Sequence, residues 1–240
     1  MRALVTGSSR GLGLGFCSVL AARGDDVLAA CRQSTPQLEA LDVRVVSGVD
    51  VTSDDAIERL RSAVGDDRLD LVVCNAGVNG TFEADGIEDT DLDAVRRDLD
   101  VNAVGVARTV AAVVPALRAG ATIALITSGA SAPGREKLGY YGYKMSKAAL
   151  NMFGHILAAE LRPRGINVLL VSPGPVDTDL LRAVHASGKT HFDPSEAPSP
   201  DEGASNMLSL IARASPELSG CWLDHTGDLI VDASGLPVPS

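Results

Sequence analysis

A phenol and a primary amine stand four residues apart in Tyr143-Lys144-Met145-Ser146-Lys147, within a stretch whose apolar spacing reads as helix. At that separation Tyr143 and Lys147 project from one helical face. An ammonium beside a tyrosine hydroxyl favours the phenolate and lowers a pKa that otherwise sits at about 10, so the tyrosine would exchange a proton with a substrate oxygen near neutral pH. That is the chemistry of an acid-base catalyst acting on carbonyl and alcohol groups. The same spacing also arises from surface packing, with a lysine stem lying along an aromatic ring. It occurs twice, because Gly139-Tyr140-Tyr141-Gly142-Tyr143 places Tyr140 four residues before Lys144. Spacing alone leaves both pairs open.

The elements that would position such a pair alternate along the 240 residues. Ala3-Leu4-Val5, Asp26 to Ala30, Val43 to Val46, Leu69 to Val73, Thr122 to Ile126 and Ile166 to Val171 are short and apolar, many of them rich in β-branched residues, as strands buried on both faces should be. Gly220-Cys221-Trp222-Leu223-Asp224 offers a last one. Longer amphipathic segments lie between them. The pattern predicts an α/β fold: one doubly wound parallel sheet of about seven strands, with helices on both faces, in a single domain over residues 1–240. One stretch breaks the rhythm, from Thr178 to Pro200, where Gly188, Pro194, Pro198 and Pro200 predict a substrate flap.

The first strand runs into Thr6-Gly7-Ser8-Ser9-Arg10-Gly11-Leu12-Gly13 and then into a helical pattern through Leu14 to Arg23. Glycines here allow a tight turn and a close approach of backbone amides to a pyrophosphate at the positive end of a helix. A dinucleotide site is the inference, with Gly7, Ser9, Arg10, Gly11, Leu12 and Gly13 as its cradle.

Gly7-x-x-x-Gly11-x-Gly13, Asn75-Ala76-Gly77 after the fourth strand, Ser128 after the fifth and Tyr143-x-x-x-Lys147, in this order over nearly the whole chain, resemble the short-chain dehydrogenase/reductase family. The resemblance implies a Rossmann-type fold and selects Tyr143 over Tyr140. It implies that Tyr143 is the proton donor, that Lys147 lowers its pKa and binds the nicotinamide ribose, and that Ser128 binds the carbonyl oxygen. Asn102 resembles the helix asparagine that anchors a water of the family's proton relay. Asp50-Val51 resembles its adenine-contacting pair, and Pro173-Gly174-Pro175-Val176-Asp177-Thr178 the segment holding the carboxamide, with Val176 and Thr178 as contacts. Read singly, Asn75 and Asp50 are also ordinary turn caps and Asn102 a polar helix residue.

Ser128 lies fifteen residues before Tyr143, farther than in most members of the family, so Ser131 stands as an alternative. The extra length from Ala130 to Gly142, with Pro133, Gly134 and Gly139, implies an enlarged loop at the mouth of the site, where Ala130, Tyr140, Tyr141, Leu180 and Leu181 are expected to line the substrate pocket. This loop, with Ala29-Ala30-Cys31-Arg32 and the Pro200-Asp201-Glu202-Gly203 and Ser219-Gly220-Cys221-Trp222 segments, is similar to the C-factor and sniffer-type carbonyl reductases.

An NAD enzyme usually places an acid at the end of the second strand, where it accepts bonds from the adenosine ribose and repels a 2′-phosphate. Cys31-Arg32-Gln33-Ser34 stands there instead. Arg32 would clamp a phosphate, with Arg10 approaching the same group, which favours NADP(H) over NAD(H). The reading is therefore an NADP(H)-dependent oxidoreductase of carbonyl or alcohol substrates of partly apolar character. Two other classes use the same residues: non-redox acid-base chemistry such as cyclisation, isomerisation or dehydration, and NADP(H) sensing without catalysis.

Composition narrows the partners. A formal charge of −10 disfavours a nucleic-acid or anionic-membrane surface. With 45% hydrophobic residues, mean hydropathy of +0.15 and no uncharged apolar run of spanning length, the expected partner is a small molecule, with the family's homodimer or homotetramer formed through the helices carrying Asn102 and Tyr143. Met1 to Gly7 enters a strand at once and leaves no room for a signal peptide, so a cytoplasmic location is expected. The acids from Glu83 to Asp100 read as a solvated helix face. Cys17, Cys31, Cys74 and Cys221 read as reduced core residues, and the four histidines share no metal-ligand spacing, so no metal is expected; His185 and His191 in the flap read as solvated or ligand-contacting.

Overall fold

The chain alternates strand and helix from its first residues. The computed structural model describes residues 1–66, 68–82, 84–132 and 139–231. In order these form β1 (Arg2–Thr6), α1 (Gly11–Ala22), β2 (Asp26–Ala30), the short α2 (Pro36–Glu39), β3 (Arg44–Val46), α3 (Asp54–Val64), β4 (Leu69–Cys74) and α4 (Leu92–Leu99). A π-helical turn (Asp100–Val104) joins α4 to α5 (Gly105–Val113), followed by β5 (Leu117–Ile126), α6 (Tyr141–Leu161), β6 (Asn167–Val171), α7 (Asp179–Ala186), α8 (Pro200–Ile211), β7 (Trp222–Leu223) and β8 (Leu229–Val231).

The strands make one sheet in the order β3-β2-β1-β4-β5-β6-β7-β8, parallel throughout except for the antiparallel pair β7–β8. The sheet has eight strands rather than about seven. β8 is a three-residue edge strand returning from a tight turn, too short and too exposed to carry a buried-strand signature. β5 also starts earlier than its apolar run, at Leu117, through an irregular register against β4.

Side chains of successive strand residues alternate between two cores. Leu4, Leu28, Val72 and Ile123 pack with Leu60 of α3, Val110 of α5 and Leu150 of α6 on one face. Ala3, Val5, Ala29 and Val73 pack with Phe16 of α1 and Met207 of α8 on the other. Each fully buried Leu or Phe contributes roughly 1.5–3 kcal/mol, so these layers fix the strand ends on which the site is built. All four cysteines are free and buried, and burial pushes the Cys17 and Cys74 thiols up to about 12.

The stretch Leu92–Ala116 contains an 18-residue window of mean hydropathy 1.3 and is long and apolar enough to cross a membrane by length and composition, but it lies along the sheet and α6, with Asp98 and Asn102 fully buried. The reading of the acids from Glu83 to Asp100 as a solvated face holds for Asp85, Glu88, Asp89, Asp91 and Asp93, which are exposed, and fails at Asp98, which is buried; Asp100 is half-buried and pairs with Arg108 at 2.7 Å, and Glu83 lies outside the described residues. The segment read as a flap also differs from an irregular loop. Thr178 accepts the Leu181 N–H at 3.3 Å and caps α7, a two-turn helix inside it.

Candidate active site

Every parallel strand delivers its C-terminal end to the same edge of the sheet, the place where open α/β sheets bind ligands. A cleft of about 1280 Å³ runs along that edge.

Its first wall is the turn between β1 and α1. Gly7 adopts φ +67°, and a Cβ on Gly13 would stand 2.1 Å from the Gly7 carbonyl oxygen, so only glycine lets the helix start this close to the strand. Arg10, the residue capping α1, offers no side-chain bond to the helix, leaving the amides of the first turn for an anion. Asn75 locks the turn from β4: its Nδ2 donates to Thr6 O at 3.1 Å and Gly7 O at 3.3 Å, and the Asn75 and Ala76 amides donate to Thr6 Oγ1 at 3.2 Å each. Ser9, Gly11, Leu12 and Gly77 line the same wall.

Past the end of β2, Arg32 faces a second cavity of about 530 Å³ shared with Arg10, Ser34 and Asp50. Ser34 Oγ is buried there with no hydrogen-bond partner among the described residues. Asp50 accepts from Thr52 N at 2.9 Å and Thr52 Oγ1 at 2.7 Å, bonds that hold its carboxyl below the usual range, and Val51 lies beside it in the main cleft. Arg10 reaches across the opening to Asp179 on α7, 3.1 Å away, rather than toward Arg32.

The opposite end carries the titratable group. Ser128 and Tyr143 both line the cleft here, and the Ser128 side chain favours the Tyr143 phenolate. Ser131 is turned away: its Oγ donates to Ser128 O at 2.8 Å and accepts from Asn151 at 3.2 Å. Lys147, 5% exposed, donates to Ile126 O at 2.8 Å, with its Nζ 5.8 Å from the centre of the Tyr143 ring. Burial pulls the Lys147 ammonium down to about 8. Burial likewise pushes the Tyr143 phenol above its ordinary range, and the Ser128 side chain only partly offsets this. The phenol thus stands above its ordinary range rather than below it, because desolvation of the phenolate is the largest effect on Tyr143.

Tyr140, the other member of the repeated spacing, is the one non-glycine residue with positive φ among those described (58°). Its hydroxyl donates to Lys189 O at 2.6 Å, Lys189 pairs with Asp85, and Lys144 stands 5.8 Å over its ring. Tyr140 thus ties the start of α6 to the segment that follows α7. It lines the cleft together with Ala130, Leu180 and Leu181, whereas Tyr141, the first residue of α6, is not among the residues lining it, against the expectation. Residues 133–138 of the loop before it, including Pro133 and Gly134, lie outside the described residues.

Pro173, Gly174, Val176 and Thr178 complete the cleft beyond β6. His225, which the sequence did not single out for a role, packs so tightly on Gly174 that a Cβ there would stand 2.8 Å from its ring. Asn102 is not on the cleft surface. Its Nδ2 donates to Val78 O at 2.7 Å and Ser146 Oγ at 2.9 Å while Oδ1 accepts from Val78 N at 2.8 Å, so both amide hydrogens are used in bracing the loop after β4 against α6. Among the described residues no three metal-ligating side chains gather.

A doubly wound sheet with a glycine cradle at its C-terminal edge and a tyrosine–lysine pair facing it defines a nicotinamide-dependent oxidoreductase. The comparisons give the family: the model of the short chain dehydrogenases matches residues 1–188, and the chain belongs to that family. It is 35% identical over 230 residues to the 1-hydroxy-2-glutathionyl-2-methyl-3-butene dehydrogenase of Rhodococcus sp. strain AD45, covering 95% of this chain and 97% of that one. It is 37% identical over 163 residues to the C-signal protein of Myxococcus xanthus, covering 66% and 90%. The NADPH-bound carbonyl reductase from chicken fatty liver shares the fold with a TM-score of 0.81 at 25% identity, covering 95% and 97%.

Proposed function

We propose that this chain is an NADP(H)-dependent oxidoreductase that reduces a partly apolar aldehyde or ketone, and oxidises the corresponding alcohol in reverse. The observation that carries the reading is that Ser128, Tyr143 and a buried Lys147 line one cleft with the glycine cradle of the β1–α1 turn. The cradle fits the cofactor: Gly7 and Gly13 leave the space a pyrophosphate needs, and the orphaned Ser34 Oγ with Arg32 fits a 2′-phosphate. Bound there, the nicotinamide supplies or accepts the hydride.

The chain's own residues handle the oxygen. Ser128 donates a hydrogen bond to the substrate carbonyl, drawing electron density from its carbon. Tyr143 passes its hydroxyl proton to the same oxygen. Lys147, charged at neutral pH, stabilises the phenolate left behind, and Asn102 braces the wall that holds them. Leu180, Leu181 and Val184 present apolar contacts from α7 to the rest of the substrate.

Following NADPH consumption against a panel of aldehydes and ketones, with product analysis, tests the reading; turnover without change in the cofactor would replace it with non-redox chemistry, and binding without turnover with a sensing role. The Rhodococcus relative favours a second substrate reading, a glutathionyl alcohol oxidised in the reverse direction, which belongs in the same panel.

Arg32→Asp should exchange an attraction for a repulsion at the 2′-phosphate. The ratio of kcat/KM for NADPH over NADH should fall by at least ~100-fold. An unchanged ratio would sink the cofactor assignment.

A homodimer or homotetramer is proposed on the outer face of α6, where Met145, Met152 and Ile156 are 51%, 61% and 58% exposed. Ile156→Asp should lower the mass seen by light scattering; a mass equal to the wild type's excludes this face.

A further inference from the structure

Behind the tyrosine and lysine lies a carboxylate that makes no contact with the cleft. Asp98, in the last turn of α4, is fully buried. Its Oδ1 accepts the Gly80 N–H at 2.8 Å and its Oδ2 the Thr81 hydroxyl at 3.2 Å. Thr81 Oγ1 in turn accepts the Tyr143 N–H at 3.3 Å, so a chain of hydrogen bonds runs from Asp98 to the backbone of the proton donor. Gly142, the preceding residue, makes this approach possible: a Cβ there would stand 2.8 Å from Asp98 Oδ2.

An apolar side chain would fill this position at lower cost, because a buried carboxylate loses its hydration and regains it only through the bonds it makes. The charged and titratable groups facing Asp98 are Tyr143 and Lys147 from α6 and Arg97 from its own helix; Asp100 is tied to Arg108, and Asn75 to Phe82 carry none.

We propose that Asp98 is a positioning residue of the proton-transfer site: through Thr81 it anchors the first turn of α6, and its negative charge favours the protonated forms of Tyr143 and Lys147. The proposal rests on Tyr143 being the proton donor. The fields agree with the geometry. Asp98 adds to the burial that raises the Tyr143 phenol and opposes the burial that lowers the Lys147 ammonium. Burial also raises the Asp98 carboxyl itself, while its bonds from Gly80 and Thr81 and the charges of Arg97 and Lys147 pull it down. The consequence is an acid that stays loaded toward higher pH.

The chain has three tyrosines, so [13Cζ]tyrosine labelling gives three resonances, and Tyr143→Phe assigns one of them in the free protein. In Asp98→Asn the Tyr143 resonance should titrate at lower pH than in the wild type, with no cofactor or substrate present. The alkaline limb of kcat/KM for carbonyl reduction should move the same way, leaving activity within about twofold of wild type near pH 6 and about tenfold below it near pH 9. Thr81→Val, which cuts the tether and keeps the charge, should lower kcat by one factor at all pH values with the alkaline limb in place. In the wild-type protein the Tyr143 resonance should also carry an acidic inflection as Asp98 ionises, a readout that holds even if Asp98→Asn does not fold. An unmoved Tyr143 titration in Asp98→Asn, a loss equal at every pH in that variant, or the absence of the acidic inflection overturns the proposal. A shifted resonance with an unshifted kinetic limb instead removes Tyr143 as the proton donor.

Discussion

Tyr143→Phe should lose carbonyl reduction by at least ~10³-fold in kcat while binding NADPH within about threefold of the wild type. The substitution removes one oxygen and keeps the ring, so Lys147 retains the aromatic face 5.8 Å from its Nζ and the cleft keeps its shape. What disappears is the Tyr143 hydroxyl, the proposed proton donor to a carbonyl oxygen held by Ser128 in the same cleft. No neighbour replaces it. Tyr140 has spent its hydroxyl on Lys189 O at 2.6 Å, and Lys147 is turned to Ile126 O at 2.8 Å. Absorbance of NADPH follows turnover, and quenching of its fluorescence follows binding in the same preparation. Activity within tenfold of wild type would remove Tyr143 from the chemistry, and loss of binding alongside turnover would make it a structural residue of the cleft.

The sheet was legible because strands buried on both faces must be continuous apolar runs, and Leu71-Val72-Val73 or Val168-Leu169-Leu170 allow little else. The glycine turn was legible for a similar reason: Gly13 sits where a Cβ would meet backbone, a constraint that glycine spacing records directly. β8 was not, since three half-exposed residues at an edge carry no periodic signal. Helix α7 hid between a glycine and prolines that read as a flap, although Thr178 and the Leu181, Val184 and His185 spacing held a cap and a helical period. Asp98 was hidden more deeply. A charged residue on a charged helix looks solvated, and its burial is made by Gly80 and Gly142, which fold against it from distant parts of the chain. The same gap explains the Tyr143 phenol: pair spacing shows the lysine, but only the packed structure shows how much water the phenolate would lose.

Lys147→Met should give a protein that is inactive and, near neutral pH, more stable. Burial disfavours the charge and pulls the folded Lys147 ammonium from its ordinary 10.5 down to about 8. Below about pH 8 both the folded and the unfolded chain carry the proton, and the folded state bears the cost of a desolvated cation, on the order of 3 kcal/mol at 1.36 kcal/mol per pKa unit. Between about 8 and 10.5 the folded lysine is neutral while the unfolded one is still charged, so the wild type regains this stability as pH rises. Methionine fills a similar volume without the charge, and losing the bond to Ile126 O offsets about 1 kcal/mol, which leaves a gain of roughly 2 kcal/mol at pH 7. Urea unfolding of both proteins at pH 7 and again near pH 10 isolates the difference. The advantage of Lys147→Met should shrink or reverse at the higher pH, and an equal difference at both would show that Lys147 is not held against its own burial. A loss of activity together with a gain in stability is the result expected of a fold that holds Lys147 in an unfavourable place to keep the proposed cation beside the Tyr143 phenolate.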